Sequence, residues 1–359
     1  MISERNKIEE YVNLIGNKDK KNYIFEIIDQ LENGKDFIAY HGSCTDGSIT
    51  AALLKYFEAE KIFIPLNYDV LKDKILRPFL IKQDWYAIVD LEPFNEKTLE
   101  LFVDHHRSVI GSVINAKRIH FEVGSLGPSA AFVLYNSLVG LKSIPEYLKK
   151  LVDVSKVTDT ASFAIDPPTE LVSGVDLSFI DNFDRLCWFV QDATNIEDNF
   201  SLKMNNEIVT GLSKEGIIYL LSNKRIKAIN KIREKRITAY EFIKSLEITT
   251  LMTIINTPDN AIKQYIALKL GKMGVKVIAF LSQKENVVTI SLRQSKLNRP
   301  DEIEFFRLDL LAKLFSPTGG GGHAEAAGSI SSSIEEAINV LKEWSREKKL
   351  DLSIVEYKK

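Results

Sequence analysis

The run FIAYHGSCTDGSITAALLKYFEAEKIFIPL, Phe37 to Leu66, decides the fold. Phe37 to Tyr40 is a short apolar stretch that stops at His41. Ile49 to Phe57 has helical periodicity, and Ile62 to Leu66 is apolar again. A strand, a helix and a strand of these lengths make one βαβ unit, and such units build a mostly parallel sheet. Working outward, Tyr86–Val89 and Leu101–Val103 add two more strand-like runs. On the N-terminal side, Ile8, Tyr11, Val12 and Ile15, then Ile24, Ile27, Ile28 and Leu31, fall at helical spacing, with Asn33-Gly34 as a stop.

The C-terminal part repeats the strand–helix alternation. Residues 200–247 read as helical and carry the densest basic segment, Lys224 to Arg236. Ile226, Ile229 and Ile232 are interspersed among these cations, which predicts an ordinary amphipathic helix with a solvated basic face. Leu251–Ile255, Val275–Leu281 and Val287–Leu292 are strand-like, while Ala261–Lys272 and Ile334–Lys348 are helical. The expected organisation is an N-terminal helical extension (1–34), a parallel-sheet α/β domain with helices on both faces (35–199), a helical connector (200–247) and a smaller C-terminal α/β domain (248–346). A length of 359 residues suits two domains.

Composition excludes some classes of function. Apolar residues make up 45% and charged residues 27%, as in a folded, soluble chain. The net charge of −2 argues against a surface that coats polyanions, so nucleic-acid contact would need a local patch. No apolar run reaches the ~18 residues a membrane helix needs. The start, MISERNKIEEYV, has no apolar signal-peptide core, and two cysteines, Cys44 and Cys187, make no disulfide framework. A cytoplasmic protein with no membrane partner is expected.

Polar residues cluster where the apolar runs end. His41, Asp90 and Asp104 each close a predicted strand, and ligands of open α/β sheets bind beyond those ends. Four groups stand out: His41-Gly-Ser-Cys44-Thr-Asp46-Gly47; Asp90; Asp104-His105-His106; and Asp159 in Lys-Val-Thr-Asp-Thr. Each has a plain reading alone. Asp46-Gly47 is a turn dipeptide, Asp90 a strand-end cap, the histidine pair a surface turn, and Asp159-Thr160 a helix cap. Those readings do not explain why acids and imidazoles recur at one edge of one sheet. Carboxylate and imidazole together suit Mn²⁺-type divalent metals, and paired ions stabilise a phosphoryl transition state. In the C-terminal part, Arg293 can fork onto phosphate, and Gly319–Gly322 before His323-Ala-Glu-Ala-Ala-Gly328 lets backbone N–H groups approach phosphate oxygens. A helix starting near His323 would add its dipole.

Val-Asp104-His105-His106-Arg resembles the signature of the DHH phosphoesterases, and Gly-Gly-Gly-Gly-His323-Ala-Glu-Ala-Ala-Gly resembles the glycine-rich motif of their DHHA1 domain. The order of motifs agrees, over about residues 36–346. The family includes RecJ-type exonucleases, nano-RNases, phosphatases of 3′-phosphoadenosine 5′-phosphate and cyclic-dinucleotide phosphodiesterases. The resemblance implies a DHH domain followed by a DHHA1 domain and two divalent ions, normally Mn²⁺. It implies that Asp90 bridges the ions, that Asp46, His105 and Asp159 complete one site and that His41 belongs to the other. Asp104 would orient a ligand, His106 would face the scissile phosphate, and Arg293, Gly321, Gly322 and His323 would hold the rest of the substrate. Expected substrates are short single-stranded RNA or DNA, or nucleotides. The alternatives are a small-phosphate phosphomonoesterase or pyrophosphatase-like enzyme, and a catalytically weakened nucleotide sensor. A homodimer stays open. The pattern departs from the family at Cys44, where an acid is usual. As a thiolate ligand Cys44 would favour Zn²⁺ or Co²⁺; otherwise it is a small buried hydrophobe.

Overall fold

The computed structural model describes residues 2–357 except 174–176, 195–200, 257–259, 285–286, 296, 317–319 and 323. The chain divides into two compact units. One comprises Met1–Pro168 with Val172–Asn230, and the other Thr169–Leu171 with Lys231–Lys359.

The first unit contains α1 (Ile2–Asn13), α2 (Lys18–Asn33), β1 (Phe37–His41), α3 (Thr45–Phe57), β2 (Ile62–Leu66), the single turns α4 (Tyr68–Leu71) and α5 (Arg77–Leu80), β3 (Trp85–Val89), β4 (Leu99–Asp104) and β5 (Ala116–Phe121). The helices α6 (Ala130–Leu138), α7 (Glu146–Thr160), α8 (Phe183–Thr194), α9 (Leu202–Glu215) and α10 (Asn223–Lys244) follow, the last running on into the second unit. All strand pairs are parallel in the order β2-β1-β3-β4-β5. Because side chains alternate along a strand, both faces need cover. Ile38, Tyr40, Ala87, Val89, Leu101 and Val103 pack on one side with α3 and α6–α9. Phe37, Ala39, Ile88 and Phe102 pack on the other with Tyr23, Ile24 and Ile27 of α2. The helices preceding Gly34 therefore cover one face of this sheet.

The sheet order reverses between β1 and β3, since β1 leads outward to β2 while the chain returns to place β3 on its opposite side. A crevice opens beyond the carboxyl ends of two strands at such a switch point. His41 ends β1 and Asp90 follows β3.

The second unit contains β6 (Leu251–Ile255), α11 (Asn260–Lys272), β7 (Val277–Lys284), β8 (Val287–Gln294), α12 (Pro300–Phe306), α13 (Leu308–Phe315), β9 (Gly321–Gly322), β10 (Ala326–Ser331), α14 (Ile334–Lys348) and β11 (Leu352–Glu356). Its sheet is mixed, in the order β11-β6-β7-β8-β10-β9. Two expectations need correction here. Among the described residues no helix starts next to the glycine run. Residues 326–331 form β10, antiparallel to β8, with Ala327, Ser329 and Ser331 buried on alternate positions. Small side chains at period two fit a close-packed strand as well as they fit a helix, and the pairing with β8 decides between them. The basic segment is not simply a solvated face either. Arg225, Arg233 and Arg236 of α10 are buried. Arg225 reaches Glu207 at 3.8 Å, and Arg233 donates to the Glu170 carbonyl at 2.7 Å.

Candidate metal centre

Asp46, Asp90 and Asp104 are at most 1% exposed. A carboxylate tolerates such burial only with compensating partners. Asp46 has them. It lies in the first turn of α3, and the N–H groups of Ala130 and Ala131, at the start of α6, donate to its Oδ2 at 2.6 Å and Oδ1 at 3.0 Å. The Ser155 hydroxyl of α7 donates to Oδ1 at 2.6 Å. Three helices thus aim one carboxylate. Asp46-Gly47 is helix here, not a turn, and the glycine is required by space. A Cβ at Gly47 would stand 2.2 Å from the His41 carbonyl and 3.0 Å from Asp90 Oδ2.

Asp104 caps its own successors. Its Oδ1 accepts from the N–H groups of His105 and His106 at 2.7 and 3.3 Å and lies 2.7 Å from His106 Nδ1. This holds both imidazoles in place at the end of β4. Burial acts to lower the pKa of His106, but the hydrogen bond to Asp104 and the charges of Asp90, Asp104 and Asp159 outweigh it and push it up to about 10.

Asp90 is different. It adopts a left-handed backbone, φ 55°, a conformation an aspartate tolerates better than most residues and one that concentrates at functional sites. Both its carboxylate oxygens are buried without a regular hydrogen bond among the described residues. Desolvation first, then the Asp46 charge, raise its pKa to about 6 against the opposing pull of His41 and His106. Its Oδ2 lies 3.5 Å from His41 Nδ1 and its Oδ1 lies 3.7 Å from His105 Nε2. His105 Nε2 also stands 3.5 Å from Asp46 Oδ2 and 3.4 Å from Asp159 Oδ2, again with no hydrogen-bond partner.

Three overlapping groups have donor atoms within 4.8 Å of one another: His41, Cys44 and Asp90; Asp46, His105 and Asp159; and Asp90, Asp104, His105 and His106. Unpartnered buried oxygens facing an unpartnered imidazole nitrogen are a costly arrangement for a bare protein and a fitting one for divalent cations. The donor set suits them, with Asp90 common to two groups.

All six residues from the first unit that were expected at a metal site meet here, as do Asp104 and His106. Asp159 arrives from the last turn of α7, not from a strand end. Sequence reasoning missed Ser155, the α6 N-terminus and Tyr68, whose ring stands edge-on to His41 at 5.2 Å. The Pro-Ser-Ala-Ala stretch before α6 is a helix-start signal that marks one of them, with Ser129 as the N-cap.

The remaining expected residues belong to the second unit. Arg293 is on β8, paired in register with Ala326 of β10, and its guanidinium donates only to the Leu292 carbonyl among the described residues. Gly321 and Gly322 form β9, Gly322 with φ 137°. His323 lies outside the described residues.

No family model and no curated protein matches the chain. Solved structures do. The pGpG-specific phosphodiesterase PggH of Vibrio cholerae superposes with TM-score 0.56 at 18% identity, over 88% of this chain and 99% of its own. A manganese-bound exonuclease RecJ gives 0.54 at 14%, over 94% and 96%. The DHH domain of a member of a ribosomal-protein family gives 0.52 at 15%, over 97% and 98%.

Proposed function

From the DHH phosphoesterase fold that this chain has in common with those structures, we propose that it is a metal-dependent phosphoesterase. It cleaves phosphodiester bonds in short oligonucleotides or dinucleotides. The observation that carries the reading is the convergence of Asp46, Asp90, His105 and Asp159 on one point beyond β1 and β3. Asp90 and His105 present buried atoms there that make no regular hydrogen bond among the described residues. The phosphodiesterase and exonuclease activities named for PggH and RecJ support a nucleotide substrate.

In this proposal Asp46, His105 and Asp159 would hold one divalent ion, Mn²⁺ by the chemistry of their donors, His41 would belong to the site of the other, and Asp90 would be a ligand available to both. When bound, the ions acidify water to hydroxide and neutralise charge on the phosphoryl oxygens. The protein supplies the rest. Ser155 and the α6 amides keep Asp46 aimed. Asp104 holds the His106 ring through Nδ1, so that its far nitrogen can serve as the proton donor to the departing oxygen. Residues 35–199 would form the catalytic domain and residues 248–346 the DHHA1 domain. In the latter, Arg293, Gly321, Gly322 and His323 are assigned to the remaining phosphate and nucleotide groups.

The test is a substrate panel with Mn²⁺: a labelled RNA dinucleotide, a cyclic dinucleotide and 3′-phosphoadenosine 5′-phosphate. Turnover of a dinucleotide, abolished by Asp90→Ala, is expected. Turnover of the monoester alone would replace this reading with a phosphomonoesterase. Bound metal without turnover of any substrate would leave a nucleotide sensor.

A further inference from the structure

We propose that the position framed by His41, Cys44 and Asp90 takes a thiophilic divalent cation with Cys44 bound as thiolate, beside an oxygen-rich position that takes a hard one. The inference rests on the metal-dependent reading above and adds which kind of ion each position prefers.

The two groups differ in chemistry. Asp46, His105 and Asp159 offer two carboxylates and an imidazole, whereas His41, Cys44 and Asp90 offer an imidazole, a sulfur and a carboxylate. Oxygen donors suit Mn²⁺ and Mg²⁺; thiolate with imidazole selects Zn²⁺ and Co²⁺. Asp90 presents a different oxygen to each, Oδ2 toward His41 and Oδ1 toward His105.

Two observations distinguish a ligand from a small hydrophobe. The first is the company each cysteine keeps. Cys187 is fully buried inside a hydrophobic cluster with Leu186 and Phe189. Cys44 is only half-buried, belongs to none of the hydrophobic clusters and shares a group of donor atoms with His41 and Asp90. The second is its place in the chain. Cys44 is the N-cap of α3, in extended backbone with φ −117° and ψ 142°, where its sulfur makes no regular cap hydrogen bond and lies near the Gly47 N–H. Ser, Thr, Asp or Asn would ordinarily fill that position to bond the first-turn amides. Here the side chain is left within 4.8 Å of the imidazole of His41 and the carboxylate of Asp90. Donors bonded to one ion at about 2.0–2.3 Å stand slightly closer together than that, so small side-chain adjustments suffice. On binding, the sulfur–hydrogen bond gives way to a sulfur–metal bond and the proton leaves to solvent.

The test uses the full chain, stripped with a chelator and reloaded with Co²⁺ alone. The expected result is a sulfur-to-cobalt charge-transfer band in the near ultraviolet that survives Cys187→Ser and is lost in Cys44→Ser. In separate titrations with Zn²⁺ and with Mn²⁺, the preference of the native chain for Zn²⁺ over Mn²⁺ at one position should shrink in Cys44→Asp, while the other position keeps its preference. Cobalt bound without a charge-transfer band in the native chain, or a band that survives Cys44→Ser, overturns the thiolate assignment and leaves the phosphoesterase reading standing. Failure of the native chain to bind any divalent ion overturns both.

Discussion

Asp90 and Asp46 differ in role, though both are buried carboxylates. Asp46 is satisfied by two backbone amides and a hydroxyl, while Asp90 is left bare. Removing a satisfying partner should therefore loosen the site without destroying it. Ser155→Ala is expected to weaken Mn²⁺ binding about 10- to 100-fold, the usual cost of losing a group that orients a ligand; isothermal titration measures it. The raised pKa of Asp90 gives a pH dependence with a definite sign. Its carboxyl must lose a proton to hold a cation, so Mn²⁺ affinity should fall as pH drops below about 6 and level off above. In the metal-free chain the same shift acts on stability. A carboxyl raised from 3.8 to about 6 binds its proton more tightly when folded. Its contribution is complete below the unfolded value and is lost as pH rises through about 6. Urea denaturation of chelated protein between about pH 4 and 7 should show that decline, and Asp90→Asn should flatten it.

Helix α3 carries Asp46 and is packed against β1 so closely that Gly47 has no room for a methyl group. Gly47→Ala is expected to cost about 1–3 kcal/mol through overpacking and to move Asp46 away from His105, lowering metal affinity as well as the urea midpoint. A midpoint shift with unchanged Mn²⁺ binding would mean that the helix start tolerates displacement. The start of α6 matters for the same carboxylate. Ser129, its N-cap, accepts from the Phe132 N–H at 3.2 Å. Loss of such a cap costs about 1 kcal/mol. In the second unit, β10 lies where a helix was expected. Gly328 pairs with Gly321 of β9 on one side and with Ser291 of β8 on the other, so substrate contacts proposed there come from strand edges and side chains, not from a helix dipole.

On the proposed function, Asp46, Asp90, Asp104 and Asp159, gathered with three imidazoles, are expected to make the stability of the first unit depend on bound cations. Chelation should lower the melting temperature, and readdition of Mn²⁺ at about 100 times its dissociation constant should restore about 2.7 kcal/mol by mass action; calorimetry with and without chelator checks it. No helix among the described residues is long and apolar enough to cross a membrane. For the second unit, Arg293→Ala is expected to raise KM for a dinucleotide with kcat little changed, as for a contact made equally to substrate and transition state. Equal loss in kcat would move Arg293 into the chemical step.

The strand–helix alternation from Phe37 to Val103 could be read along the chain, because alternation and helical spacing are local properties. So could the places of His41, Asp90 and Asp104, since a strand's end is marked by the residue that breaks its apolar run. What could not be read there depends on contacts between distant segments. Asp159 reaches the site from a helix end; Ser155 and the α6 amides reach Asp46 across 84 to 109 positions; and Arg225 and Arg233 of α10 turn inward, one to a carboxylate on another helix and one to a remote carbonyl. The stretch after the glycines, residues 326–331, became strand because β8 offered it a ladder of hydrogen bonds, and no local preference of glycine and alanine could have announced that partner.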